Sequence, residues 1–463
     1  MPSDSSSAEV YRRLPRYYGR EQLECSEVKR LFRGRRGIQF EDPTAYFPYI
    51  DHELDRGRDL LHLRDYMIGD LFERSIQLED RQRFYGPHGV FREADLVCPE
   101  VHHSITRDPN AVQLLIPRHR SLFDYAINQP IHHDVVNDKI ILAVGQNLMV
   151  HKFNESLRHF GGFVFLRDDA ILERRGMRRA FLEKGKYLNE VLPQYLERQM
   201  FLPTEEAIRH DLLVYLEYEK NKETGKSGGG RTKTGHLRKL NWTLIRVCRE
   251  IAVQNGIDLY VTPLNVSFSK VPDAPYVVHP SGLRGRLKVF RYFAEQRFVF
   301  NWYPEYAKKH AAAKLRAVVR YGEPDLVTDR DLQTHRDFIR YADTITERMG
   351  RLDTVFPVAF LFTALGDDRT LRMDELTDRC KMLYERLHLA GAHLEKVSTP
   401  DGDLRPVGEL VEQAVTHLNT TPNYYIKDYA SHAIITHAAG RFTSNDQPLQ
   451  RWYANSISHL LEC

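Results

Sequence analysis

Val112-Gln-Leu-Leu-Ile116, running straight into Pro117-Arg-His-Arg-Ser-Leu-Phe-Asp124, is the stretch on which the fold turns. A short apolar run closed by proline and then by charge has the pattern of a buried strand ending at a polar loop. The pattern recurs at Lys139-Ile-Ile-Leu-Ala-Val144, Gly162-Phe-Val-Phe-Leu166, Leu212-Leu-Val-Tyr-Leu216, Leu259-Tyr-Val-Thr262 and Leu315-Arg-Ala-Val-Val-Arg-Tyr321. Between these runs lie segments with helical periodicity, such as Met177 to Gln199 and Leu240 to Asn255. Strand and helix in alternation predict an α/β fold with a largely parallel central sheet flanked by helices. Ligands of such sheets sit at the carboxyl ends of the strands, so functional residues are expected just after each run.

Residues 106–328 are thus expected to form an α/β domain. Downstream, 329–463 reads as a helical region, with Asp374 to Leu389 and Val407 to Leu418 as its clearest helices. Upstream, 1–105 reads as a helical, basic N-terminal region. Its segments Tyr11-Arg-Arg-Leu-Pro-Arg-Tyr-Tyr-Gly-Arg20 and Lys29-Arg-Leu-Phe-Arg-Gly-Arg-Arg36 mix arginine with aromatics. Such a mixture suits anionic lipid headgroups, or equally an arm that packs its rings on the next domain. No internal repeat is visible, and Thr224-Gly-Lys-Ser-Gly-Gly-Gly-Arg231 is expected to be a mobile loop.

Composition narrows the function classes. Over 463 residues, 42% are hydrophobic and 28% charged, an ordinary globular balance. A net charge of +3 gives no global field that would draw nucleic acid. Five scattered cysteines without a CxxC pair argue against a disulfide framework or a zinc site. The first 40 residues are polar and carry Glu9, Glu21, Glu24 and Glu27, unlike a secretory leader. Val355 to Leu365, the longest nearly apolar stretch, falls well short of the roughly 20 residues a membrane helix needs.

Four segments could carry chemistry. His119 and Asp124 stand five apart, as a general base and the carboxylate that fixes its tautomer would. His103 with Asp108 and His133 with Asp138 share the spacing, but only His119 directly follows a strand. Arg167, just beyond the run entered through Gly161-Gly162, can fork onto a phosphate or pair with Asp168 or Asp169. Gly228-Gly-Gly-Arg-Thr-Lys-Thr-Gly235 offers backbone N–H groups with Arg231 and Lys233 as an anion cradle; a flexible basic linker is the competing reading. It is not a nucleotide-binding P-loop, because Lys220 stands where the first glycine belongs. Pro263, in Val261-Thr-Pro-Leu264, suggests an edge strand or a strand end lining a crevice.

In order, these segments resemble the sequence blocks of the glycerol-3-phosphate and dihydroxyacetone-phosphate acyltransferase family. Ile116 to Tyr125 is similar to the first block, and Ala143-Val-Gly-Gln-Asn-Leu148 resembles an Ala-Gly-x-Asn-Leu element. Gly161 to Arg167 is similar to Gly-Gly-Phe-Phe-Ile-Arg-Arg, with Leu166 at the first arginine. Gly229 to Gly235 is similar to Glu-Gly-Gly-Arg-Ser-Arg-Thr-Gly, but Tyr218 to Gly228 separates the matching Glu217 from its glycines. Either the insertion loops out and Glu217 keeps its place, or the place is lost. Val318-Val-Arg-Tyr-Gly-Glu-Pro324 and Trp452-Tyr-Ala-Asn-Ser-Ile-Ser-His-Leu460 extend the likeness towards the carboxyl end.

The resemblance implies transfer of a fatty acyl group from acyl-CoA or acyl carrier protein to the sn-1 hydroxyl of glycerol 3-phosphate. His119 and Asp124 would be catalytic; Arg167, Glu217, Gly229, Gly230, Arg231, Lys233 and Pro263 would bind substrate. It implies no cofactor, no metal and no nucleic-acid partner, and a peripheral place on the cytoplasmic face of a membrane. Dihydroxyacetone phosphate and lysophosphatidate are alternative acceptors. An inactive membrane- or partner-binding relative with the same fold is the alternative of another class.

Overall fold

The computed structural model describes residues 81–85, 93–97, 105, 108–121, 124, 128, 140–145, 162–165, 192–201, 209–220, 227–229, 232, 234–271, 274–278, 316–420 and 433–462. Its centre is a nine-stranded mixed sheet. The strands are β1 (Arg81–Tyr85), β2 (Glu93–Val97), β3 (Ala111–Pro117), β4 (Ile140–Gly145), β5 (Gly162–Phe165) and β6 (Asp211–Leu213). After a separate hairpin of β7 (Tyr218–Lys220) and β8 (Ser227–Gly229) come β9 (Asp258–Phe268), β10 (Arg316–Tyr321) and β11 (Asp325–Leu326). The order is β1-β2-β10-β9-β3-β6-β4-β5, with β11 also on β9. From β9 to β5 every pairing is parallel, whereas β10 and β11 meet β9 antiparallel.

Each apolar run expected to be a strand lies in this sheet, although β6 is shorter and β9 longer than its run. Two differences stand out. The stretch read as helical upstream contains β1 and β2, and β2 joins the sheet by parallel pairing with β10. Neither Arg-Gln-Arg-Phe-Tyr nor Glu-Ala-Asp-Leu-Val has an apolar run; backbone pairing to neighbours makes them strands. Nor is the proline-bearing strand an edge. β9 lies between β3 and β10, and Pro263 sits where its neighbour changes from β11, opposite Tyr260 and Val261, to β10, opposite Leu264 onward. There the Gly322 N–H donates to the Pro263 carbonyl at 2.8 Å, so the ladder already breaks where proline lacks its donor.

Alternation along the strands buries both faces of the sheet. Val112, Leu114 and Ile116 of β3 pack with α1 (Leu192–Leu196), α2 (Thr243–Asn255) and, further along the chain, helix His335–Arg351. Leu115, Leu213, Leu264 and Val266 face the opposite way, into the C-terminal region. That face also receives α3 (Ala274–Val278); the helix His335–Arg351 is α4. The covering layer comprises α5 (Pro357–Leu365), α6 (Met373–Leu389), α7 (Val407–Val415) and α8 (Gln447–Asn455). α5 takes most of the long apolar stretch and is buried nearly all round, as a helix without a polar face must be. Pro357 occupies its first turn, where a missing N–H costs nothing.

The C-terminal region is not purely helical. β12 (Thr354–Val355) pairs with β14 (His393–Leu394), and β13 (Thr370–Arg372), β15 (Ile435–Ala438) and β16 (Arg441–Ser444) form a small antiparallel sheet. Among the described residues, no helix is long and apolar enough to cross a membrane.

A buried lysine and a half-buried histidine lie where β9 gives way to this layer. Burial draws the Lys270 amine down to about 7. Burial, and then the charge of Lys270, draws His417 down to about 4, against an opposing hydrogen bond with the Ser269 backbone. The folded state therefore refuses a proton that the unfolded chain accepts below about pH 6.5. Stability should fall as pH drops from about 6.5 towards about 4, with His417 supplying roughly 3 kcal/mol of the loss. Urea midpoints of the parent and His417→Gln, compared at pH 7.5 and pH 5, check this: the variant should lose less on acidification.

Candidate active site

β3 ends at Pro117, and Arg118 extends its pairing by donating its N–H to the Leu264 carbonyl at 3.0 Å. His119, Arg120 and Ser121 gather around the carboxylate of Asp124. Asp124 Oδ2 accepts from the Arg120 N–H at 2.6 Å and the Ser121 N–H at 2.8 Å, and lies 3.0 Å from His119 Nδ1. A carboxylate only accepts, so Nδ1 carries the proton and Nε2 the lone pair. Asp124 is fully buried, while the His119 side chain keeps 16% of its surface exposed. The imidazole also packs on the Tyr215 ring, centroids 4.5 Å apart, and Asn128 donates to the Tyr215 hydroxyl at 3.2 Å. The site thus holds an oriented, partly accessible base at the carboxyl end of a central strand.

Glu217 approaches from the end of β6. Its Oε2 accepts the His119 backbone N–H at 2.6 Å. Burial pushes this carboxyl up, opposed chiefly by Arg118 and then by that N–H. Beyond Glu217, β7 and β8 pair Tyr218 with Gly229, Glu219 with Gly228 and Lys220 with Ser227. The insertion therefore loops out as a hairpin, and Gly229 returns opposite the residue that follows Glu217. Part of the glycine-rich stretch expected to be a loop is the strand β8.

The block that follows lies beside the histidine. Thr232, fully buried, donates its N–H to the His119 carbonyl at 3.3 Å. The Gly235 carbonyl accepts from Arg118 Nη2 at 3.0 Å. α8 holds the block from outside: Trp452 Nε1 donates to the Thr232 carbonyl at 3.2 Å, and Asn455 Nδ2 to the Thr234 carbonyl at 2.8 Å. Pro263 is buried opposite Ile116 in the β3–β9 register, at the base of the site. Arg167, Gly230, Arg231 and Lys233 lie outside the described residues, as do His103, His133, Asp138 and the arginine-aromatic segments of the N-terminal region.

Behind the histidine is an ionic knot that local sequence patterns do not reveal. Arg118 and Arg120, on either side of His119, both bond Asp353 Oδ2 and both donate to the Ser456 carbonyl, at 3.1 and 3.2 Å. Asn265 of β9 donates to the other oxygen of Asp353, and His459 Nε2 lies 3.1 Å from Oδ2. Arg118, Arg120 and Asp353 are essentially buried. Burial pushes the Asp353 carboxyl up, but Arg118 and Arg120 overcome it and hold the group well below the usual carboxylate range. Burial, and then the like charge of Arg120, draws Arg118 down to about 10, still a cation at neutral pH. The only advance signal was the likeness of Trp452 to Leu460 to a family segment; nothing marked Asp353.

No protein-family profile matches the chain, and no curated protein sequence matches it.

Two outcomes follow from this geometry. Glu217→Leu strips the His119 amide of its acceptor and should cost about 1–3 kcal/mol. Glu217→Gln keeps an acceptor oxygen and should stay within about 1 kcal/mol of the parent in denaturant titrations. Gly235 has φ +89°, and a Cβ there would fall 2.0 Å from the Trp452 carbonyl oxygen. Gly235→Ala should therefore destabilise the fold by about 3 kcal/mol or more, read from the same midpoints.

Proposed function

We propose that the chain is an acyltransferase that moves a fatty acyl group from a thioester donor, acyl-CoA or acyl carrier protein, to the sn-1 hydroxyl of glycerol 3-phosphate. The observation that carries this reading is the His119–Asp124 contact of 3.0 Å at the carboxyl end of β3. It is supported by the arrangement in space of Ile116 to Asp124 and Gly229 to Gly235, segments that resemble two of the family's blocks.

In this mechanism His119 Nε2 takes the proton of the acceptor hydroxyl as its oxygen attacks the thioester carbonyl. Asp124 holds the imidazole and stabilises the imidazolium that forms. The tetrahedral intermediate collapses with cleavage of the C–S bond, and the imidazolium gives its proton to the leaving thiolate. The acceptor's own hydroxyl is the nucleophile, so the acyl group is never bonded to the protein. Arg167, Arg231 and Lys233, assigned from the sequence, grip the phosphate and place the hydroxyl against His119. Glu217 contributes by fixing the His119 backbone.

Radiolabelled acyl transfer to glycerol 3-phosphate tests the reading. His119→Ala should lower turnover by at least about 10²-fold while the circular dichroism spectrum is kept. Turnover near the parent's would remove His119 as the base. Arg231→Ala should raise KM for glycerol 3-phosphate roughly tenfold and leave that for the acyl donor unchanged, as a lost charge-assisted contact requires.

A further inference from the structure

His119 is flanked by two buried cations whose purpose the mechanism leaves unexplained. Arg118 and Arg120 are 0% and 4% exposed, and neither is among the groups assigned to substrate. Arg118 and Arg120 turn together towards Asp353, and His119 turns towards Asp124 and Tyr215. The direction of the imidazole is thereby set by where the two guanidiniums are fixed. What fixes them comes from the C-terminal region: the Asp353 carboxylate, in the turn between α4 and α5, and the Ser456 carbonyl after α8.

Asp353 is itself anchored on every side. Asn265 holds Oδ1, His459 approaches Oδ2, and the Thr354 N–H donates to Ser267 Oγ at 2.9 Å. His459 Nε2 also lies 3.1 Å from the Gly350 carbonyl, which ties the knot to the end of α4. The remaining charged groups that act on Arg118 are Glu217 and Asp124. A carboxylate that faced a single arginine would be a local ion pair. One that clamps both neighbours of the proposed base controls the loop as a unit.

We propose that Asp353 is a positioning residue for His119: it neutralises and clamps Arg118 and Arg120, so that the C-terminal region completes the site as well as covering the sheet. The kinetic part of this inference rests on the acyltransferase reading; the geometric part does not. Removing the negative charge leaves two cations beside the imidazole and disfavours its protonated form.

The test follows the His119 imidazole by its C2–H proton resonance, assigned with His119→Gln, over a pH titration of the full chain. Asp353→Asn should lower the His119 pKa by about half a unit. Arg120→Met, which leaves Asp353 its other partners, should raise it by a similar amount and decides the matter should Asp353→Asn fail to fold. With glycerol 3-phosphate and an acyl donor, the folded variant should lose turnover by about tenfold or more, with both KM values within about threefold. A His119 titration unmoved in the folded variants overturns the proposal, as does turnover within twofold of the parent's. Should the parent transfer no acyl group to any acceptor, the acyltransferase reading fails, and the titration alone decides whether Asp353 governs His119.

Discussion

One carboxylate, that of Asp353, stands between two guanidiniums that would otherwise repel one another inside the protein. Burying three charges is expensive, and the interior tolerates them only when each is met by an opposite charge and by further hydrogen bonds. Here the arginines also find the Ser456 and Gly235 carbonyls, and the carboxylate finds Asn265 and His459. Removing one partner of such a set typically costs about 3–5 kcal/mol, because the others remain as uncompensated buried charge. The end of β3, the turn before α5 and the segment after α8 are locked to one another by that penalty.

The rest of the site is built outward from this lock. The parallel part of the sheet brings the ends of β3 and β6 side by side, so that Glu217 reaches the backbone of His119. The hairpin β7–β8 then returns the chain to the same place, and Thr232 meets the His119 carbonyl. The histidine is thus held by its own N–H, its own carbonyl, its ring nitrogen and both neighbouring side chains.

How much of this was legible depended on the range of the interaction concerned. Strands such as Val112–Ile116 announce themselves because both faces of the sheet are buried, which leaves a continuous apolar run. α6 and α7 were visible for the corresponding reason, an apolar stripe at helical spacing. β1 and β2 carry no such run; β2 is a strand because β10 offers it a partner, and β1 because β2 does. His119 and Asp124 could be found because they lie five residues apart. Asp353, 235 residues from Arg118, leaves no trace in any local window. Pro263 suggested an edge or a strand end lining a crevice, and the edge fails because a strand interrupted on one side resembles, in sequence, a strand with no neighbour there. Whether Glu217 and its glycines stay together was a question about the path of the chain, and only β7–β8 pairing answers it.

The Arg118 contact with the Ser456 carbonyl spans 338 residues, and that between Trp452 and Thr232 spans 220. Contacts this distant along a chain carry a large loop-closure entropy and tend to form late in folding. The β3–β9 ladder and the helices packed against it can assemble while the histidine loop still lacks its clamp. Until the segment after α8 docks, two cations that the finished protein hides remain in water, where they are no burden. The site is therefore completed by contacts that reach across most of the chain.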